Sequence, residues 1–489
     1  MSEDAIPNLI PVLPELFLLC TILATLMLGT FQREEQNETR RSVSQTVSLL
    51  SIGSLTLTLL LLFMLSSSRV TIFADMFITD EYAVYLKSLI LVGAISSIVL
   101  SQTFFERHNT ARFEYPIFIA FASLGMMLMV SANDLIALYI GIEMQSLSLY
   151  VIAAFHRDDT RSSEAGLKYF VLGAVASGLL LYGCSLIYGF SATTNFGQLL
   201  NFLSHTQINP GIIFGLVFII AGLAFKVSAV PFHMWTPDVY EGAPTPVTAF
   251  FSIAPKIAAI GLFLRVMIGP FGSLIDEWQG IIILISMASM ALSAFAAINQ
   301  QNIKRLMAYS SIGHVGYALI GLAAGNFIGI RAILIYLLIY LVMNIGAFSC
   351  ILCLRRDGKM LENITDFTGI SKTHPFLALA TSVFMFSLAG IPPLAGFFGK
   401  LYIFLAAIEA QLVMLAVFGI ITSVISAFYY LRIVRLIYFD ESTDYLDLPV
   451  DRELKIIVAI TGIIVILFFV YPSPVISIAG DAANALLDI

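Results

Sequence analysis

The stretch AGLAFKVSAVPFH, residues 221–233, places a lysine and a proline in an otherwise apolar part of the chain. Every residue from 212 to 225 is apolar or glycine, so Lys226 lies deep in a segment typical of a membrane span. Pro231 cannot donate to the carbonyl of Val227, and its ring crowds that carbonyl. We therefore expect a membrane helix that opens beside Lys226, with protein or water satisfying the freed backbone groups.

A charged side chain at this depth suggests a functional site. Burial disfavours the charged form of a lysine and a nearby carboxylate favours it, which suits a group that takes up and releases a proton. Glu143 lies about ten residues into the apolar fifth span, near the bilayer midplane at ~1.5 Å per residue, so we expect it to pair with Lys226 or to relay protons. The alternatives are a snorkelling or structurally paired lysine and a neutral, hydrogen-bonded glutamate.

The composition indicates a polytopic α-helical membrane protein. Of 489 residues, 59% are hydrophobic and 12% are charged, which is about half the charged share of a soluble protein. Apolar windows of ~20 residues predict about fourteen spans. These begin near Leu9, Ser44, Glu81, Phe113, Asn133, Ser163, Gly211, Pro244, Glu277, Lys304, Phe327, Pro375, Gln411 and Leu454. The net charge of −7 and the lack of a basic cluster argue against a nucleic-acid partner.

Lysine and arginine are concentrated in the loops that follow odd-numbered spans, for example at Arg107, Arg157 and Arg432. The positive-inside rule places these loops in the cytoplasm and both termini on the periplasmic side. In the first spans, Glu15 is interpreted as a helix-end or interface residue and Lys87 as a lysine that snorkels.

Three other spans carry titratable residues. Pro255 precedes Lys256 in the eighth span, so a second buried lysine is expected beside weakened backbone. His314 lies in a small, polar stretch of the tenth span, where a structural role and a relay role are equally open. Lys168 follows Glu164 by one helical turn; a simple ion pair between them and a role at the mouth of a proton path are both open.

The twelfth span repeats the opening pattern with SLAGIPPLAGFFGKLY, residues 387–402. Pro392 and Pro393 interrupt it and Lys400 follows. Broken helices at corresponding places in two halves point to inverted repeats around an ion path, and an offset of five spans inverts the topology. The sequence thus predicts N-terminal helices 1–3 (1–112), two inverted five-helix repeats (113–268 and 275–440), and a last helix with a short tail (441–489).

Together these residues make the chain resemble the antiporter-like membrane subunits of respiratory complex I, and among them most closely subunit N. The likeness covers nearly the whole chain and is most specific from His233 to Ala249. It implies proton translocation by Glu143, Lys226, Lys256 and Lys400, modulation or relay by Lys168 and His314, and helix breaks at Pro231, Pro255, Pro392 and Pro393.

The resemblance implies a proton-translocating subunit of NADH:quinone oxidoreductase, driven by redox chemistry in partner subunits. It implies no metal or cofactor site here; FMN, iron–sulfur clusters and quinone would belong to the partners. Expected partners are the M-type antiporter-like subunit and the small K, J and A types, in a bacterial inner membrane. The alternatives are a subunit of a multi-subunit sodium/proton antiporter and a purely structural subunit.

Overall fold

The computed structural model describes residues 9–31, 37–65, 69–206, 208–441, 446–447 and 451–487. The first half contains α1 (Leu13–Phe31), α2 (Asn37–Leu65), α3 (Glu81–Arg107), α4 (Glu114–Val130), α5 (Leu135–Ala153), α6 (Thr160–Ser191), α7 (Phe196–His205), α8 (Pro210–Val227), α9 (Trp235–Gly242), α10 (Thr245–Ser252) and α11 (Ala254–Ile268). The second half contains α12 (Ile275–Ile298), α13 (Ile303–Ala324), α14 (Phe327–Leu352), α15 (Ile370–Thr373), α16 (Pro375–Ala389), α17 (Ala395–Glu409), α18 (Val413–Phe439), α19 (Arg452–Leu467) and α20 (Ser473–Leu487). Two short antiparallel ribbons pair β1 (Val70–Ile72) with β2 (Phe77–Thr79) and β3 (Arg355–Arg356) with β4 (Lys359–Met360).

Within these described residues, 11 helical segments are long and apolar enough to cross a membrane, with α10 and α11 counted as one. The shorter α4 and α16 are apolar as well. The prediction of a polytopic helical membrane protein is therefore confirmed. The count of fourteen spans and the inverted repeats stay predictions.

Polar side chains fix where several of the helices begin. The carboxylates of Asp80 and Asp134 accept from the first free N–H groups of α3 and α5, and the amide oxygen of Asn302 does the same for α13. Asn209 caps α8, whose first residue is Pro210. Such caps satisfy donors that have no partner within the helix.

The helices are interrupted in three places, each with a proline in or near the interruption. The helix α8 ends at Val227, and Ser228 takes a left-handed conformation with φ 66° before α9 begins at Trp235. A single residue, Ile253, separates α10 from α11. The third break follows α16, where Gly390 has φ 88°, a value that glycine adopts at little cost.

The broken and polar helices occupy the middle of the fold. The most apolar 18-residue window is 100% buried in the α10–α11 segment and 94% buried in α13, compared with 39% in α6 and in α18. Residues on α11 and α13 are therefore shielded by protein on all sides, whereas α6 and α18 present a broad face outward.

The N-terminal helices correct our interpretation of Lys87, while Glu15 lies in the first turn of α1 as a helix-end residue. Lys87 does not snorkel: its side chain is fully buried, and Nζ lies 2.6 Å from Oε1 of Glu15, which is buried too. The ring of Phe77 covers the ammonium group at 4.9 Å. Because isolated charges are costly to bury, each residue of this pair requires the other.

Candidate functional site

Lys226 occupies the last turn of α8, immediately before the first break. Its Nζ donates to Oγ of Ser146 on α5 at 2.7 Å, and Ser146 donates to the carbonyl of Ile142 at 2.6 Å. The hydroxyl proton is thus committed to the backbone, and the oxygen is left to accept from the lysine.

Glu143 lies on α5, three residues before Ser146, but it does not form the direct ion pair that we expected. Among the described residues, no carboxylate lies within 4.0 Å of Nζ of Lys226, because that group reaches Ser146 instead. Oε1 of Glu143 is buried and accepts no hydrogen bond from the described residues.

The backbone at the first break is only partly satisfied. The indole N–H of Trp235 donates to the carbonyl of Phe225 at 3.1 Å, and the N–H of Val230 donates to Oγ of Ser289 at 2.9 Å. The described residues supply no donor to the carbonyls of Lys226 and Val227. Such groups at membrane depth call for water or a mobile donor, which is the setting that the sequence predicted.

Lys256 lies just after the second break, near the start of α11, and only 2% of it is exposed. Its Nζ donates to Oγ of Ser311 on α13 and lies 5.6 Å from the ring centre of Tyr240 on α9. No described carboxylate lies within ion-pair distance. A hydroxyl and an aromatic face therefore surround this lysine in place of a counter-ion.

Lys400 lies on α17, after the third break, and is also buried. Its Nζ donates to the carbonyls of Leu388 and Ala389 at 3.1 and 2.9 Å and to Oγ of Ser423 at 2.9 Å. The two carbonyls end α16, where the helix dipole is negative and no N–H of the helix is available. The ring of Tyr317 lies 4.9 Å from the same nitrogen.

His314 connects the surroundings of the last two lysines. Its Nδ1 lies 2.5 Å from the hydroxyl of Tyr336, and its Nε2 lies 3.3 Å from the hydroxyl of Tyr430. Ser311, His314 and Tyr317 recur every three residues, so they follow one side of α13. That side runs from the Lys256 contact to the Lys400 contact, and groups able to donate and accept line it.

Lys168 belongs to an ion-pair network nearer the surface. It lies 2.8 Å from Glu164, as the i,i+4 spacing indicated, and also 2.8 Å from Asp238. Arg305 joins Asp238 at 2.8 Å and Glu241 at 2.9 Å. Burial alone would raise the pKa of Asp238, which lies outside the long spans, but its bonds to Lys168 and Arg305 hold that pKa below its usual value. The network thus links α6, α9 and α13.

The structure thus adds hydroxyl groups that sequence reasoning missed. Ser146, Ser311 and Ser423 accept from the three lysines, and Tyr336 and Tyr430 hold His314. Of these residues, only Ser311 lies in the polar stretch around His314 that the sequence analysis singled out. No group of three or more His, Cys, Asp or Glu side chains in the described part of the chain could hold a metal ion.

Comparison with known proteins gives consistent matches. Residues 132–426 match the family described as "NADH:quinone oxidoreductase/Mrp antiporter, TM". The "NADH-quinone oxidoreductase subunit N" of Rhodospirillum rubrum is 55% identical over 479 residues, which is 97% of each chain. The protein of the same name from Parvibaculum lavamentivorans is 54% identical over 488 residues and 99% of each chain.

Solved structures agree on the fold. A chain of respiratory complex I from Thermus thermophilus superposes with a TM-score of 0.81 at 30% identity, covering 96% of this chain and 99% of that one. A chain of the Mrp complex from Dietzia superposes with a TM-score of 0.83 at 20% identity, covering 98% of each chain.

Proposed function

The chain belongs to the subunit N family of NADH-quinone oxidoreductase, the proton-translocating antiporter-like membrane subunits of complex I, and from this premise we propose that its protons pass along Lys226, Lys256, His314 and Lys400. As a subunit of that oxidoreductase it is part of an enzyme complex. In this scheme Glu143 tunes Lys226, and Lys168 acts on it from the charged network near the surface.

The contacts of α13 carry this proposal. Lys256 donates to Ser311, one turn before His314, and Lys400 lies over the ring of Tyr317, one turn after it. A helix buried along its length thus carries a series of hydroxyl and imidazole groups between two lysines. Groups of this kind exchange protons directly or through single waters.

The step from Lys226 to Lys256 lacks such a direct chain of contacts. The element between them is α9, whose Tyr240 has a buried hydroxyl without a hydrogen-bond partner among the described residues. The ring of the same tyrosine faces Nζ of Lys256. Because the carbonyls at the first break also need donors, water entering there would satisfy both sets of groups and complete the path.

The Glu143 charge supplies enough energy to load and unload Lys226. At an effective dielectric constant of about 20, two unit charges ~6 Å apart interact by about 3 kcal/mol, which is roughly a hundredfold in a protonation equilibrium. Movement of Glu143 toward or away from Lys226 would therefore switch the preferred charge of the lysine.

The arrangement of the breaks supports two inverted repeats, residues 113–268 and 275–440, between the N-terminal helices of 1–112 and the last helix and tail of 441–489. The first repeat would contain the break between α8 and α9, and the second would contain the break between α16 and α17. Each of these breaks has a buried lysine beside it. The two breaks would then face each other across the membrane midplane.

The setting of the chain follows from the same premise. We place it in a bacterial inner membrane with odd-numbered loops in the cytoplasm and both termini in the periplasm; residues 1–8 and 488–489 lie outside the described part. Its neighbours would be the M-type subunit and the small K, J and A types. FMN, iron–sulfur clusters and quinone would lie in partner subunits.

The sodium/proton antiporter alternative is less supported. The Mrp chain shares 20% identity, a level that shows the fold alone, whereas relatives more than half identical carry the subunit N name. A purely structural subunit remains as the second alternative, and it predicts that the buried lysines can be replaced without loss of pumping.

Lys226→Ala in the intact complex separates these functions. NADH oxidation and NADH-driven proton uptake are recorded side by side in inverted membrane vesicles, with assembly checked on a native gel. We expect both rates to fall together while the complex remains assembled. Lys359→Ala, at an exposed lysine of β4, is the matched control. If both rates persist in the Lys226 variant, the structural alternative and the antiporter alternative remain, and sodium-dependent exchange distinguishes them.

A further inference from the structure

A cavity of about 230 Å³ lies where the first turns of α16 and α19 meet. Its walls include Cys353, Thr373, His374, Leu377, Lys455 and Val458. These residues come from three separate parts of the chain, so tertiary packing forms the cavity. It lies near the N-terminal ends of both helices.

Two basic side chains of the cavity, His374 and Lys455, have hydrogen-bonding groups without a partner among the described residues. His374 is 7% exposed, and its Nε2 has no hydrogen-bond partner among the described residues, while Nδ1 lies 3.0 Å from Oγ1 of Thr373. Lys455 forms no ion pair within 4.0 Å with a described carboxylate. A buried donor or acceptor without a partner costs free energy, so a ligand that supplies one would be stabilised here.

Large apolar side chains continue from the cavity along both helices. Phe376 and Leu379 on α16 are more than half exposed, as are Ile460 and Ile463 on α19. In a membrane protein such faces contact lipid acyl chains. One end of the site therefore offers a cation and an imidazole, and the other end offers continuous apolar surface.

We propose that this cavity binds one anionic phospholipid, with its phosphate beside Lys455 and His374 and the upper part of an acyl chain between α16 and α19. Free phosphate would satisfy the polar end but would leave the apolar walls without a partner. A zwitterionic lipid would bring its own cation next to Lys455. The anionic lipid alone matches both ends of the site.

Photocrosslinking of the intact, detergent-purified complex tests the proposal. The complex is incubated with a photoactivatable phosphatidylglycerol, irradiated and digested, and labelled peptides are mapped by mass spectrometry. We expect label in residues 373–379 and 455–463, and much less with the phosphatidylcholine analogue. Lys455→Ala should lower the labelling of these peptides about fivefold at subsaturating lipid, the change expected from removing one basic residue near an anionic lipid.

Two variants act as controls for charge and for space. Lys359→Ala removes an exposed lysine outside the cavity and should leave labelling at the wild-type level. Val458→Phe fills part of the cavity without changing charge and should lower labelling while NADH oxidation persists.

Four results would overturn the proposal. The first is equal labelling by both lipids, and the second is equal loss in the Lys455 and Lys359 variants. The third is the absence of label at this site in the assembled complex, which would mean that a neighbouring subunit covers it. If excess inorganic phosphate abolishes the labelling, the site is one for free phosphate and the lipid assignment is wrong.

Discussion

The first break, between α8 and α9, and the third break, between α16 and α17, differ in how the protein holds the lysine beside them. Lys226 precedes its break and donates to one described acceptor, Oγ of Ser146. Lys400 follows its break and donates to three acceptors, two of them the terminal carbonyls of the helix before it. The same sequence pattern, a lysine near a proline in an apolar span, thus produces one sparsely solvated ammonium group and one that the protein solvates itself.

This difference suggests a division of labour. Fixed dipoles stabilise the charge on Lys400 without a counter-ion and without reorganisation. Lys226 has little of that support, so its charge depends on Glu143 and on water at the break. We infer that Lys226 is the site that responds to a change elsewhere in the complex and that Lys400 is the more constant one.

The largest expected effect is that of Lys400→Ala. It should abolish proton uptake as Lys226→Ala does, and it should also lower the midpoint of thermal unfolding, because two carbonyls of α16 lose their donor. Each buried group left unsatisfied costs about 1–3 kcal/mol. Uptake in vesicles and unfolding of the purified complex, followed by native gel after heating, are measured for both variants. Equal thermal stability of the two would contradict the difference in solvation.

Glu143→Gln comes next. If Lys226 depends on the Glu143 charge, NADH-driven proton uptake should fall about tenfold, since the Coulomb energy at stake exceeds one tenfold step. Glu143→Asp keeps the charge and should restore most of the rate. Unchanged uptake and pH dependence in the glutamine variant would show that Lys226 works without this carboxylate.

Paired serine variants compare the two lysines directly. Ser146→Ala removes the one described acceptor of Lys226, whereas Ser423→Ala leaves Lys400 with two carbonyls. A hydrogen bond to a charged group contributes about 1.5–3 kcal/mol, so we expect Ser146→Ala to slow uptake at least severalfold and Ser423→Ala to change it by less than half as much. The reverse order would assign the responsive role to Lys400.

The breaks could be predicted from sequence because proline acts on its own backbone neighbours. The residues Pro231, Pro255 and Pro392 lack a backbone N–H donor whatever the tertiary structure is. A lysine within an apolar span is also easy to recognise in the sequence. The solvation of each lysine was not predictable, since helical serines such as Ser146 and Ser423 carry no local sign that they face another helix.

Contacts between residues on different helices also could not be predicted from the sequence. Glu15 and Lys87 lie far apart in sequence, and each alone fits a helix-end or snorkelling residue. Only the packing of α1 near α3 shows that they pair in the interior. The expected contact between Glu143 and Lys226 is absent for the same reason. The sequence gives the depth of Glu143 in the membrane, but it does not show that the side of α5 facing Lys226 presents Ser146, about one turn further along the helix.

The smallest effect that we expect concerns the path between the lysines. Tyr336→Phe removes the hydroxyl 2.5 Å from Nδ1 of His314, whereas Tyr430→Phe removes the one 3.3 Å from Nε2. The shorter bond fixes the ring more strongly, so Tyr336→Phe should lower proton uptake about threefold and Tyr430→Phe less than twofold, by roughly 0.7 and under 0.4 kcal/mol at ~1.4 kcal/mol per tenfold.

His314→Gln is measured beside both variants. If His314 relays protons, its loss should exceed that of either tyrosine variant, and neither tyrosine variant should slow uptake further in its absence. If instead the tyrosine effects add to that of His314→Gln, the tyrosines act independently of the imidazole. Protons would then reach Lys400 without using His314, and the difference between the two lysines would have to arise at the breaks alone.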